Sequence, residues 1–101
     1  NLTLEEYINS GVPVVVDFWA EWCGPCRMVG PTIDQLGEEF TDKVSIGKLN
    51  IDDYKESAAK YGVRSIPTVL FFNKGELMEK FTGVAEKKVY RDKIEALVSK
   101  N

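Results

Sequence analysis

Cys23 and Cys26 are the only cysteines in this chain of 101 residues, and only Gly24 and Pro25 separate them. The thiolate is the form of sulfur that attacks a disulfide, so a redox thiol has to be ionised near neutral pH and open to a partner. If a helix begins at the second residue of the motif, its unpaired amides and positive dipole end stabilise a Cys23 thiolate. Cys26, one turn further in, is then shielded, which makes Cys23 an exposed attacker and Cys26 a buried resolver. Pro25 suits a first helical turn, where no amide donor is needed, and Gly24 lets the backbone come close to a partner. Two other uses of this spacing exist. A structural disulfide gains little from closing so short a loop. A zinc site takes one such pair as half of its ligands, but with no third Cys and no His the other half would have to come from carboxylates or a second copy. No metal is expected, and a chain without His also lacks any imidazole base.

The elements that must hold this pair are legible in the surrounding pattern. Val12 to Trp19 reads Val-Pro-Val-Val-Val-Asp-Phe-Trp, a run suited to a central strand buried on both faces. After Cys23, Met28, Ile33, Leu36 and Phe40 recur at roughly helical spacing, with Pro31 as a kink site. Upstream, Thr3-Leu4-Glu5-Glu6 has the spacing of a capping box and predicts a short helix ending near Gly11. Downstream, Val44 to Ile51 is a second strand, and Asp53 with Glu56 repeats the capping-box spacing before a helix through Tyr61. Thr68 to Phe72 and Leu77 to Thr82 form a hairpin around Asn73-Lys74-Gly75-Glu76, which makes the sheet mixed. Tyr90, Ile94, Leu97 and Val98 mark a final amphipathic helix. The fold class is α/β, a central mixed sheet flanked by helices, in one domain over residues 1–101.

Within the first strand Asp17 shares parity with Val15 and Trp19, so its carboxylate points inward, where burial of a charge raises the pKa. The alternative is a strand-end Asp facing water. Lys48 shares parity with Val44 and Ile46 and is either half-buried beside Asp17 or solvated. The balance of 13 basic and 16 acidic residues, net charge −3, leaves no footprint for nucleic acid or an anionic membrane. No run approaches the ~18 apolar residues of a membrane span, and residues 1–10 lack the pattern of a signal peptide. A soluble cytoplasmic monomer is expected. The chain begins without Met, which keeps an organelle open.

Trp19-Ala20-Glu21-Trp22-Cys23-Gly24-Pro25-Cys26-Arg27 resembles the active-site motif of the thioredoxin family. The resemblance runs along nearly the whole chain, through Asp17-Phe18, Lys48 to Asp52, Tyr61 to Thr68, and Thr82-Gly83. It implies a protein-disulfide reductase that works by thiol–disulfide exchange and is recycled by a thioredoxin reductase. With no phosphate-cradling G-x-G-x-x-G, NADPH serves only indirectly, through that reductase, and no cofactor is bound beyond the Cys23–Cys26 disulfide itself. By the same resemblance Asp17 assists proton transfer at Cys26 and Lys48 tunes Asp17. Statistics alone favour a trans bond before Pro67, whereas the resemblance implies cis. It further implies a docking surface of Trp22, Gly62, Ile66, Pro67, Gly83 and Val84 around the sulfur, where an extended substrate would pair with the Ile66 backbone. For Trp22 the alternative is a place in the core.

Two departures stand out. The family usually opens with an edge strand before the first helix, and this chain begins almost at that helix, so the sheet is expected to lack that strand. Ser65 stands where many relatives carry Gly, which bears on docking. The rival functions are a disulfide oxidase or isomerase, whose relatives usually carry His beside the second Cys, and a redox-silent binding module.

Overall fold

The computed structural model describes residues 4–100. In chain order the elements are α1 (Leu4–Ile8), β1 (Val14–Trp19), α2 (Cys26–Glu39), β2 (Ser45–Asn50), α3 (Lys55–Lys60), β3 (Thr68–Asn73), β4 (Glu76–Thr82) and α4 (Lys87–Ser99). The mixed sheet has the order β2-β1-β3-β4, with β1 parallel to β2 and antiparallel to β3, and β3 antiparallel to β4. Among the described residues no strand precedes α1. The Thr3 cap lies outside them.

Strand alternation divides the core into two layers, because successive side chains of β1 and β3 point to opposite faces. Val15, Val69 and Phe71 pack with Val29, Ile33 and Leu36 of α2 and Tyr90, Ile94 and Leu97 of α4. Val14, Val16, Phe18, Leu70 and Phe72 pack on the other face with Ile8 of α1 and Ala58 of α3. Asp17 shares the parity of Val15, so it is directed to the α2–α4 side and is fully buried there.

Several boundaries differ from the sequence pattern. β1 starts at Val14, since Val12 is exposed and Pro13 offers its carbonyl to Ser45 N–H but has no N–H of its own to pair. α3 starts at Lys55 behind Tyr54, with no side-chain cap, in place of the expected Asp53 capping box. The Asn50 carbonyl accepts from the Asp53 and Tyr54 amides and its side chain accepts from Asp52 N–H, so a turn consumes these residues before the helix begins. The hairpin turn is only Lys74-Gly75, both at positive φ (54° and 83°), because a two-residue turn of that form matches the twist of its strands.

A Cβ on Gly75 would meet the side chain of Asn9, which donates to Glu5 O. Gly75→Ala is therefore expected to lower stability by about 1–2 kcal/mol, through left-handed strain and displacement of Asn9. Denaturant unfolding checks this. An unchanged midpoint would mean that the turn is not constrained as described.

Candidate active site

β1 delivers the chain to the dithiol. Beyond Trp19, Ala20 is buried and its carbonyl accepts from Cys23 N–H at 3.2 Å. Gly24 and Pro25 then form a turn whose carbonyls accept from Arg27 and Met28 N–H at 3.0 and 3.1 Å. These bonds span three residues, tighter than α-helical spacing, so α2 begins at Cys26, later than the expected start at Gly24. Pro25 has helical dihedrals, φ −58° and ψ −29°, and leads directly into it. One helix-terminal amide does face the first sulfur: Cys26 N–H donates to Cys23 Sγ at 3.2 Å.

The two sulfurs are joined as a disulfide. In this state both residues are buried, Cys23 at 5% and Cys26 at 4% exposure, packed with Ala20, Trp19, Ile51 and Ile66. The expected contrast of an exposed Cys23 with a buried Cys26 is therefore absent from the oxidised form, because the bond holds both sulfurs together against the same apolar groups. The asymmetry lies in their surroundings. Cys26, and not Cys23, lines a cleft of about 500 Å³ together with Asp17, Trp19, Arg27, Asp34 and Lys48.

Both carboxylate oxygens of Asp17 are buried and have no hydrogen-bond partner among the described residues. Burial pushes its pKa up from 3.8 to about 7, with the Lys48 charge lowering it and Asp34 raising it. Lys48 lies opposite Asp17 in the β1–β2 register. Its ammonium, however, sits 3.1 Å from each carboxylate oxygen of Asp34, and its side chain is 37% exposed. Lys48 is thus neither enclosed beside Asp17 nor simply solvated, since Asp34 supplies an anion in the open part of the cleft that costs no desolvation of the ammonium.

Of the remaining sequence-selected residues, Ile66 belongs to the apolar cluster around the disulfide. Trp22 is 67% exposed and its indole N–H donates to Asp52 Oδ2 at 2.9 Å, so it is not a core residue. The Ile66–Pro67 bond is cis, and Ile66 packs against the disulfide. Pro67 O accepts from Gly83 N–H at 2.9 Å, and Gly83 O in turn accepts from Tyr90 Oη–H at 3.1 Å. Val84, next in the chain, is exposed. Gly62, at φ 69°, accepts from Lys80 Nζ at 2.9 Å. Ser65 is exposed and its carbonyl accepts from Thr68 Oγ1.

Comparison with known proteins fits this geometry. The thioredoxin family model matches residues 2–96. The chain is 49% identical over 94 residues to a chloroplastic M-type thioredoxin of Pisum sativum, covering 93% of this chain and 55% of that protein. It is 48% identical over 87 residues to a thioredoxin of Rickettsia typhi, covering 86% and 83%. A solved mutant thioredoxin from Halobacterium salinarum superposes with a TM-score of 0.87 at 33% identity, over 94% of this chain and 82% of that one. The chain belongs to the thioredoxin family. It spans about half the length of the pea and spinach relatives, 55% and 52%.

Sequence reasoning did not single out two residues of this thioredoxin-family site, Asp34 and Asp52. A signal for Asp34 was present: Cys26, Gly30 and Asp34 follow one another at i, i+4 and i+8, one face of a helix. Asp52 ends the Lys48 to Asp52 block, but nothing local ties it to an indole 30 positions away. Among the described residues no cluster of His, Cys, Asp and Glu could hold a metal ion, and no helix is long and apolar enough to cross a membrane.

Proposed function

We propose that this chain, as a single domain, is a protein-disulfide reductase and dithiol electron carrier. The observation that carries the proposal is the Cys23–Cys26 pair at the head of α2, with a helix amide on one sulfur and a buried, partnerless carboxylate sharing a cleft with the other. The reduced Cys23 thiolate attacks a substrate disulfide, forming a mixed disulfide and releasing one substrate thiolate. Asp17 takes the proton of Cys26 across the cleft, which has room for water. The Cys26 thiolate then attacks Cys23 Sγ and displaces the second substrate thiolate. Two electrons have passed to the substrate, and the Cys23–Cys26 disulfide remains.

Gly24 and Pro25 shape the turn, Lys48 tunes Asp17, and Trp22, Gly62, Ile66, Pro67, Gly83 and Val84 receive the substrate backbone. A thioredoxin reductase restores the dithiol with electrons from NADPH, and the chain itself binds no cofactor. A cytoplasmic monomer is the form proposed, alongside relatives that include chloroplastic M-type and bacterial thioredoxins.

Reduction of insulin disulfides with dithiothreitol as electron source tests this reading, and turnover well above the protein-free rate is the expected result. Activity at background would leave a redox-silent binding module. A reduction potential near about −270 mV, the value characteristic of the family, separates a reductant from a disulfide oxidase.

A further inference from the structure

The polar groups around Asp17 come from three elements and the loop before α2. Lys48 is its register partner on β2. Cys26 and Asp34 of α2 line the same cleft, with Glu21 and Arg27 also lining it. Burial raises the pKa of Tyr90 of α4, with the nearby Asp17 charge adding to it, and its hydroxyl is committed to Gly83 O. On the β3 side the partner is apolar, Val69.

Of these groups, the Lys48 ammonium is the cation best placed to neutralise Asp17, yet it is held elsewhere. Its Nζ makes a two-pronged contact with Asp34, 3.1 Å to each oxygen. The position a Cβ would occupy on Gly30 lies 3.8 Å from that Nζ, so the ammonium reaches Asp34 across the bare backbone of α2. Asp34 is 60% exposed and Asp17 fully buried, which places the ion pair on the solvent side of the cleft.

We propose that Asp34 is a positioning residue for proton transfer: by holding the Lys48 ammonium on the solvent side of the cleft, it withholds that charge from Asp17 and keeps Asp17 able to take up and release the Cys26 proton. The inference rests on the role proposed above for Asp17. Its physical content is a competition of two carboxylates for one ammonium. Asp34 is exposed to solvent, so it holds the cation in preference to a buried Asp17 that would have to ionise in an apolar layer. Asp34→Asn acts twice in the same direction, since it frees Lys48 to approach Asp17 and removes a negative charge that disfavours Asp17 ionisation.

The test follows the Asp17 carboxyl by ¹³C NMR in the full oxidised chain, where no thiol titrates. Asp34→Asn is expected to move the Asp17 midpoint to lower pH by about 0.5 unit or more. Asp34→Glu is expected to restore it, and Lys48→Gln to raise it. In the Lys48→Gln background the effect of Asp34→Asn should shrink to less than half, because the cation it positions is gone. Stopped-flow reaction of the reduced protein with dithiobis(nitrobenzoate) reads the step itself: the first thiolate released reports attack by Cys23, the second reports resolution by Cys26. The acidic limb of the second phase should follow the NMR midpoint downward in Asp34→Asn.

An Asp17 midpoint unmoved by Asp34→Asn overturns the proposal. So does an effect equally large without Lys48, which would reduce Asp34 to direct repulsion. A midpoint that moves while the second phase keeps its pH limb overturns the proton-transfer role of Asp17, and with it any catalytic positioning by Asp34. Insulin reduction in the unsubstituted chain tests the proposed activity separately from all three. Because the Asp34 side chain is exposed, the substitutions are expected to leave the fold intact, and a denaturation midpoint for each variant checks this.

Discussion

Cys23→Ser is expected to bring insulin reduction down to the protein-free rate, whereas Cys26→Ser still attacks the substrate and accumulates as a stable mixed disulfide. A Ser hydroxyl is not ionised near neutral pH and cannot start the exchange. The asymmetry between the two positions does not come from exposure, since both are buried when oxidised. It comes from the Cys26 amide, which donates to Cys23 Sγ and stabilises negative charge on that sulfur alone. Cys26 faces the cleft and Asp17 instead, the surroundings of a thiol that waits for its proton to be removed. Without Cys26 nothing displaces the bound substrate, so the Cys23–substrate bond persists. Mass spectrometry of each variant after reaction with a disulfide protein reads the outcome. Mixed disulfides formed through Cys26 in the Cys23→Ser protein, at the yield of the other variant, would reverse the assignment.

How far the sequence carries depends on the range of the interaction concerned. The β1 run and the spacing of Tyr90, Ile94 and Leu97 are local records of burial, and both elements form where the pattern puts them, β1 two residues shorter at its start. Parity pointed Asp17 to the buried face while propensity favoured a water-facing Asp, and the family resemblance decided between them. Chain starts and stops were less legible. The turn around Asn50 displaced a capping pattern that Asp53 and Glu56 advertise, because a carbonyl that accepts two amides competes directly with a side-chain cap. The partner of Lys48 was not legible at all. Strand register points the side chain at Asp17, and only the packing of α2 over β2 brings Asp34 within 3.1 Å.

That ion pair also decides what Asp17→Asn does, which is expected to raise stability and slow resolution together. The Asp17 pKa is raised from 3.8 to about 7 in the folded chain, chiefly by burial. Between those values the folded protein keeps a proton that the unfolded chain has released, so stability of the parent falls as pH rises from about 4 to about 7 and then levels off. At 1.36 kcal/mol per unit the full penalty is about 4 kcal/mol, and the neutral amide escapes it. The variant should therefore match the parent near pH 4 and exceed it by about 2–4 kcal/mol at pH 8. The amide leaves one more N–H donor without a partner than a protonated Asp17 does, a pH-independent cost smaller than this gain. Nor does Lys48 become a stranded cation, because Asp34 already holds it. Resolution should slow by about 10²-fold near pH 7 to 8, the contribution of a positioned base. The deficit narrows at higher pH, where Cys26 ionises without help, and at lower pH, where Asp17 of the parent is itself protonated. Denaturant midpoints and the second phase of thiolate release, both followed from about pH 4 to pH 9, give the two curves. A variant that is less stable than the parent at pH 8 and resolves as fast at every pH would make Asp17 a structural residue, with the proton of Cys26 leaving by another route.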